Sequence, residues 1–224
     1  HYKKIGIWRL NSTKGTMIGP VHNDYIMSIK YSPNGKYIAS GSIDKTIQIW
    51  RTTNFNRVSV FSEHTGYVTS VAYSPPGKYL ASGSYDTTIK IWDLMSNVYE
   101  RTLQGHSASV QSVAYSQDGL YIASGSNDKT IKIWKASTGE CLHTLRGHSD
   151  TVWSVAYSPP QGLETDGLHV ISGSSDNTVK IWDVLSGQCL YTLKGHTSHI
   201  YSVVYSPDGR FIASGSADKT IKIW

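Results

Sequence analysis

The sequence predicts an all-β fold of repeated four-stranded antiparallel units, and three observations carry this. Tryptophans stand at 8, 50, 92, 134, 182 and 224, a spacing of 42, 42, 42, 48 and 42 residues. A fixed period in this range marks a repeat architecture. Short segments of alternating β-branched and aromatic residues are separated by turn signals, and helical periodicity is absent throughout. The composition agrees. With 39% hydrophobic and 17% charged residues, 20 glycines, 15 tyrosines and 7 tryptophans, it is a globular mix rich in aromatic and turn-forming residues.

The elements follow in order. "KKIGIWRL" matches the third strand of a unit and "GTMIGPV" the fourth, so residues 1–22 form part of a unit. Complete units follow at about 22–63, 64–105, 106–147 and 148–195, and 196–224 holds three strands of another, all within one domain, 1–224. In that last unit "HIYSVVYS" is the first strand, "PDG" a turn, "RFIASGS" the second, "ADK" a turn and "TIKIW" the third. Earlier units continue through a turn such as "DVLSG" into a fourth strand such as "QCLYTLKGH". The lone spacing of 48 comes from "SPPQGLETDGLHVIS", six residues longer than "SPNGKYIAS". A polar, Gly- and Pro-bearing insertion belongs in a surface turn that leaves the register on either side intact.

Composition also excludes function classes. No apolar run is long enough to span a bilayer, and "HYKKIGIWRL" lacks a signal peptide's apolar core. Cys141 and Cys189 occupy the same place in successive units, so equivalent geometry keeps them apart. A disulfide is not expected, and a cytoplasmic location, or a nuclear one, fits a reduced pair. Neither cysteine has a histidine pair at ligand spacing, so no metal site is expected. The formal charge of +5 comes largely from Lys45, Lys90, Lys129, Lys132, Lys180, Lys219 and Lys222, set in the repeated phrase itself. Charges spread one or two to a unit make solvated strands and turns, not the concentrated face that nucleic acid requires. No phosphate-cradling loop, metal cluster or nucleophile elbow rises above the repeat, so no cofactor and no catalysis are expected.

The run "GHSDTVWSVAYSPP…HVISGSSDNTVKIWD" resembles the WD-repeat family. The GH dipeptide is intact at His106, His148 and His196 but reads "PVH" at His22 and "SEH" at His64. The WD dipeptide survives at Trp92–Asp93 and Trp182–Asp183. The resemblance implies a β-propeller, in which each unit is one four-stranded blade. Every unit offers His, Ser, Asp and Trp at matching positions: His106, Ser124, Asp128 and Trp134 in one, His148, Ser172, Asp176 and Trp182 in the next. Five equivalent sets would mean five active sites if these were triads, so the expected role is a hydrogen-bond network fixing strand register. In the family the serine lies on the second strand, which selects Ser40, Ser82, Ser124, Ser172 and Ser214, with the Ser42-type position as the other choice.

Counting strands gives twenty-one, whereas a seven-bladed ring needs four in each blade, twenty-eight in all. The seven absent strands would form one contiguous gap, so the chain is expected to be most of a seven-bladed ring, with flanking repeats or domains. A six-bladed ring also fits.

The expected function is a non-catalytic interaction scaffold for a protein or peptide. The alternatives are a regulatory module of a larger enzyme or signalling protein, and a basic surface for nucleic acid or anionic lipid. In WD-repeat proteins the residues three and five after the repeat histidine, and the one before the repeat aspartate, face one rim. Carried over, the partner-binding candidates are Tyr25, Met27, Tyr67, Thr69, Tyr85, Gln111, Trp153, His199 and Tyr201. Their aromatic character fits interface anchors and neighbouring-blade packing alike.

Overall fold

In a computed structural model, residues 3–8, 15–18, 21–159 and 168–224 are described, with Met17 and Ile18 by backbone only. Among these residues there are 21 strands in six antiparallel sheets and no helix. Blade 1 is a pair, β1 (Ile5–Trp8) and β2 (Gly15–Ile18). Blade 2 holds β3 (Ile26–Tyr31), β4 (Tyr37–Ser42), β5 (Ile47–Arg51) and β6 (Arg57–Phe61). Blade 3 holds β7 (Val68–Tyr73), β8 (Tyr79–Ser84), β9 (Ile89–Asp93) and β10 (Val98–Leu103). Blade 4 holds β11 (Val110–Tyr115), β12 (Tyr121–Ser126), β13 (Ile131–Lys135) and β14 (Cys141–Leu145). Blade 5 holds β15 (Val152–Tyr157), β16 (His169–Ser174), β17 (Thr178–Asp183) and β18 (Cys189–Lys194). Blade 6 holds β19 (Ile200–Tyr205), β20 (Ile212–Ser216) and β21 (Ile221–Ile223). Strand order within each sheet follows chain order.

Both faces of each sheet are apolar because successive side chains on a strand point to opposite faces. On β13, Ile131 and Ile133 pack against Val152, Val155 and Trp182 of the following blade. Trp134, one residue on, packs against Ile89, Ile91 and Leu103 of the preceding blade. The same exchange joins blades 2 and 3, and blades 5 and 6. Blade 1 meets blade 2 through Ile5, Val21, Ile38 and Trp50.

The recurring "SGS" has a steric cause. A Cβ on Gly125 would lie 2.7 Å from Val152 Cγ1, and Gly41, Gly83 and Gly173 are equally close to the next blade. A second tie crosses the same interface. Val71, Val113, Val155 and Val203 donate their backbone N–H to the hydroxyls of Ser28, Ser70, Ser112 and Ser154 in the preceding blades. These amides sit on the first strand, at an edge of the sheet with no further strand to pair them.

The six-residue insertion leaves the register unchanged: Tyr157 pairs with Val170 as Tyr115 pairs with Ile122. Residues 160–167, most of the insertion, lie outside the described residues. Cys141 and Cys189 are free and exposed, each opposite the tryptophan of its own blade.

Candidate interaction rim

On one edge of each of blades 2 to 6, the loop before the first strand meets the turn between the second and third. Backbone bonds hold the two together: Ile43, Tyr85, Asn127, Ser175 and Ala217 donate to the carbonyls of Tyr25, Tyr67, Ser109, Thr151 and His199. The residue three after the histidine therefore lies beside the one before the aspartate in every complete unit.

Beneath this edge runs a directional polar chain. In blade 4, Trp134 Nε1 donates to Ser124 Oγ at 2.8 Å. Ser124 Oγ meets His106 Nε2 at 2.7 Å, and His106 Nδ1 meets an Asp128 carboxylate oxygen at 2.7 Å. An ionised carboxylate only accepts, so Nδ1 carries the proton and Nε2 accepts from the serine. Every donor then finds an acceptor with the imidazole neutral. Blade 5 repeats the chain through Trp182, Ser172, His148 and Asp176, at 2.8, 2.7 and 2.7 Å. Blades 2, 3 and 6 carry it too. Ser126, in the Ser42-type position, instead donates to the Ala108 carbonyl and accepts from Asp128 N–H.

The aspartate does more than its place in the tetrad requires. Asp128 also accepts from the Ser107 backbone and from both the backbone and hydroxyl of Thr130. Lys129 between them sits at φ 71°, a left-handed conformation unfavourable for a side chain with a Cβ. The carboxylate clamps the turn from both sides and holds it there. Thr46, Thr88, Thr130, Thr178 and Thr220 all donate to their aspartates in this way. The recurring Asp-x-Thr was the sequence signal for this member, and sequence reading passed over it.

The rim residues divide by accessibility. Tyr25, Met27, Tyr67, Tyr85, Tyr201 and His199 are exposed. Tyr67 and Tyr85 pair with ring centroids 5.3 Å apart. Trp153 is half-buried, edge-on to Tyr201 at 5.5 Å across the junction of blades 5 and 6. Gln111 is half-buried and donates to Asn127. Thr69 departs from expectation as a contact residue: it is buried, and its hydroxyl is 2.9 Å from the Gly83 carbonyl and 2.6 Å from that of Val110. A short hydroxyl at this position turns inward to backbone, which leaves no side chain for a partner. Met27, Thr69, Gln111, Trp153 and Tyr201 share one geometric origin. Each falls where the pairing of first and second strands skips a residue. A β-bulge re-aims the unpaired side chain away from the alternation of its strand.

Among the described residues no group of three or more His, Cys, Asp or Glu side chains is placed to hold a metal ion. No helix among them is long and apolar enough to cross a membrane.

The WD domain, G-beta repeat family matches residues 14–51, 55–93, 97–135, 139–183 and 187–224. The chain belongs to the WD-repeat family. Each matched stretch ends on or just after the repeat tryptophan, so it joins the fourth strand of one blade to the first three of the next. Domains of this family generally serve as scaffolds for protein–protein interaction. A search of curated proteins found no match to this WD-repeat chain.

Proposed function

We propose that this WD-repeat chain is a non-catalytic scaffold that binds a partner protein or peptide through its aromatic rim. The observation that carries this is the exposure of large aromatic groups on the edge where five loop–turn pairs converge. Tyr67 and Tyr85 pack against each other at a tilt yet remain 42% and 45% accessible, and Tyr201 is 52% accessible. Such groups offer apolar area with a polar tip at little entropic cost, which is the chemistry of interface anchors. The His, Ser and Asp side chains are committed to one another within the blade and recur in five copies, which supports a structural role. The two free cysteines support a cytoplasmic or nuclear setting.

The test is a pull-down from native extract with the wild type and the variants Trp153→Ala, Tyr67→Ala and Lys132→Ala, all shown folded by circular dichroism. The aromatic variants should lose partner affinity by about 2 kcal/mol or more, a hot-spot magnitude. The lysine variant should retain it. Retention by both aromatic variants with loss in Lys132→Ala would replace this reading with a basic-surface one.

We further propose that the blades belong to a seven-bladed ring. Ile221 and Ile223 are 76% and 64% accessible in blade 6, whereas their counterparts Ile131 and Ile133 are fully buried against the next blade. On blade 2, Ile29 and Tyr31 are exposed where the matching Val155 and Tyr157 are buried. The open face of blade 6, and the part of blade 2 that blade 1 leaves uncovered, have the residue types that pair at the internal interfaces. Electron-microscopic class averages of the intact protein, viewed down the ring axis, should show seven blades. Five or six would overturn the count.

A further inference from the structure

The junction of blades 5 and 6 brings together a neutral turn residue, an exposed carboxylate and two aromatic rings. In blades 2, 4 and 6 the residue after the repeat aspartate is Lys45, Lys129 or Lys219, each exposed. In blade 5 it is Asn177, as it is Thr87 in blade 3, and the loop entering the first strand of blade 5 presents the exposed Asp150 where blade 2 has the half-buried Asp24. Arg146, four residues before Asp150, is exposed at the end of the outermost strand of blade 4.

A linked set of side chains stands at the same junction. Trp153 Nε1 donates to Ser175 Oγ at 2.7 Å. His199 Nδ1 lies 3.1 Å from the Ser175 carbonyl, and the ring is 6.3 Å from that of Tyr201. A carbonyl can only accept, so Nδ1 must be the protonated nitrogen. In the neutral ring Nε2 is then an acceptor on an exposed side chain. The junction thus offers an acceptor nitrogen in the neutral ring, an exposed Tyr201 ring beside an indole, and the Asp150 carboxylate, which also accepts from Thr151 N–H, in a loop whose backbone is bonded by Ser174. The Tyr201 and Ser175 hydroxyls can also donate, so selectivity rests on the rings, the imidazole nitrogen and the carboxylate. All three favour a cation: the rings through their electron-rich faces, the nitrogen and carboxylate as hydrogen-bond acceptors.

Building on the rim reading above, we propose that this junction is the anchor for an arginine or lysine side chain of a partner peptide. Tyr201 and Trp153 receive the cation and its aliphatic stem, His199 Nε2 accepts an N–H, and Asp150 supplies the opposite charge. The neighbouring lysines Lys129 and Lys219 then exclude further positive charge on either side, so a single cationic residue flanked by neutral ones fits better than a polybasic run.

The experiment uses fluorescein-labelled twelve-residue Gly/Ser/Ala peptides that carry one central Arg, Lys, Leu or Glu, and a fifth with six consecutive lysines. Binding is read by fluorescence anisotropy at fixed ionic strength. The Arg or Lys peptide should bind at least five-fold more tightly than the Leu and Glu peptides and the polylysine peptide. Tyr201→Leu and Asp150→Asn should each reduce that preference at least three-fold, while Lys129→Ala should leave it intact or improve it. Preference for Leu or Glu that is lost in Tyr201→Leu would overturn the cation assignment and leave the rim reading standing. Binding unchanged by Tyr201→Leu, Trp153→Ala and Tyr67→Ala alike would remove the rim itself. Tightest binding of polylysine, or no single-cation peptide above the Gly/Ser/Ala background, also overturns the proposal.

Discussion

Asp128→Ala is expected to destabilise blade 4 by about 2–4 kcal/mol, because the carboxylate it removes accepts from several donors at once. His106 Nδ1–H, the Ser107 and Thr130 backbone amides and the Thr130 hydroxyl all lose their partner. The left-handed turn at Lys129 loses its clamp in the same step. Combined with His106→Ala or Ser124→Ala, the variant should show a coupling clearly different from zero, since the three residues act through one chain. Strict additivity in urea melts would defeat the network reading.

The same variant carries a pH signature. Burial alone would raise the Asp128 pKa, but the bonds from His106 and Thr130 outweigh it and hold the carboxyl well below the ordinary carboxylate range. Asp86 and Asp176 are held down in the same way by His64 with Thr88 and by His148 with Thr178. A carboxyl whose folded pKa is depressed contributes stability in full above its unfolded value of about 4 and loses it as pH falls through the folded one. The wild type should therefore weaken progressively below about pH 4. Asp128→Ala, which lacks one of these groups, should show a shallower slope there. A parallel slope would mean that Asp128 is not depressed in the fold.

Trp134→Ala is expected to cost about 3–5 kcal/mol, the usual range for deleting a large buried aromatic side chain. Trp134 is fully buried and belongs to two blades at once. Its ring packs on Ile89, Ile91 and Leu103 of blade 3, while its N–H donates to Ser124 within blade 4. Trp134→Phe separates the two contributions. It keeps most of the ring but leaves Ser124 without its donor, and should cost markedly less than the alanine. Equal losses for Phe and Ala, read from equilibrium urea melts, would assign the whole effect to the hydrogen bond.

Much of this architecture is legible in the chain because the repeat states it five times. The 42-residue spacing, the turn dipeptides and the alternation of Ile131, Ile133 and Trp134 specify strands and faces without reference to distant contacts. Local rules also predict that the insertion before His169 leaves the strands on either side in register, and Tyr157 pairs with Val170 accordingly. The rim is less legible. Nothing in "GYVTSVAYS" announces that a bulge frees Thr69 from its strand, or that a short hydroxyl then turns to the Gly83 and Val110 carbonyls. That outcome depends on a carbonyl of the next blade, 41 residues away. Trp153 likewise owes its half-burial to Tyr201 and Ser175, both outside its own strand. The Ser28-type ties between blades read in sequence as ordinary polar positions on a strand, because their partner is a backbone amide and leaves no residue signature.

The most direct measurement of the rim reading is hydrogen–deuterium exchange of the protein with and without its bound partner. Protection should concentrate in the loops and turns around Tyr67, Tyr85, Trp153, Ser175 and His199, with the outer strands β6, β10, β14 and β18 unchanged. Protection confined to those outer strands, with the rim loops exchanging as in the free protein, would contradict the account.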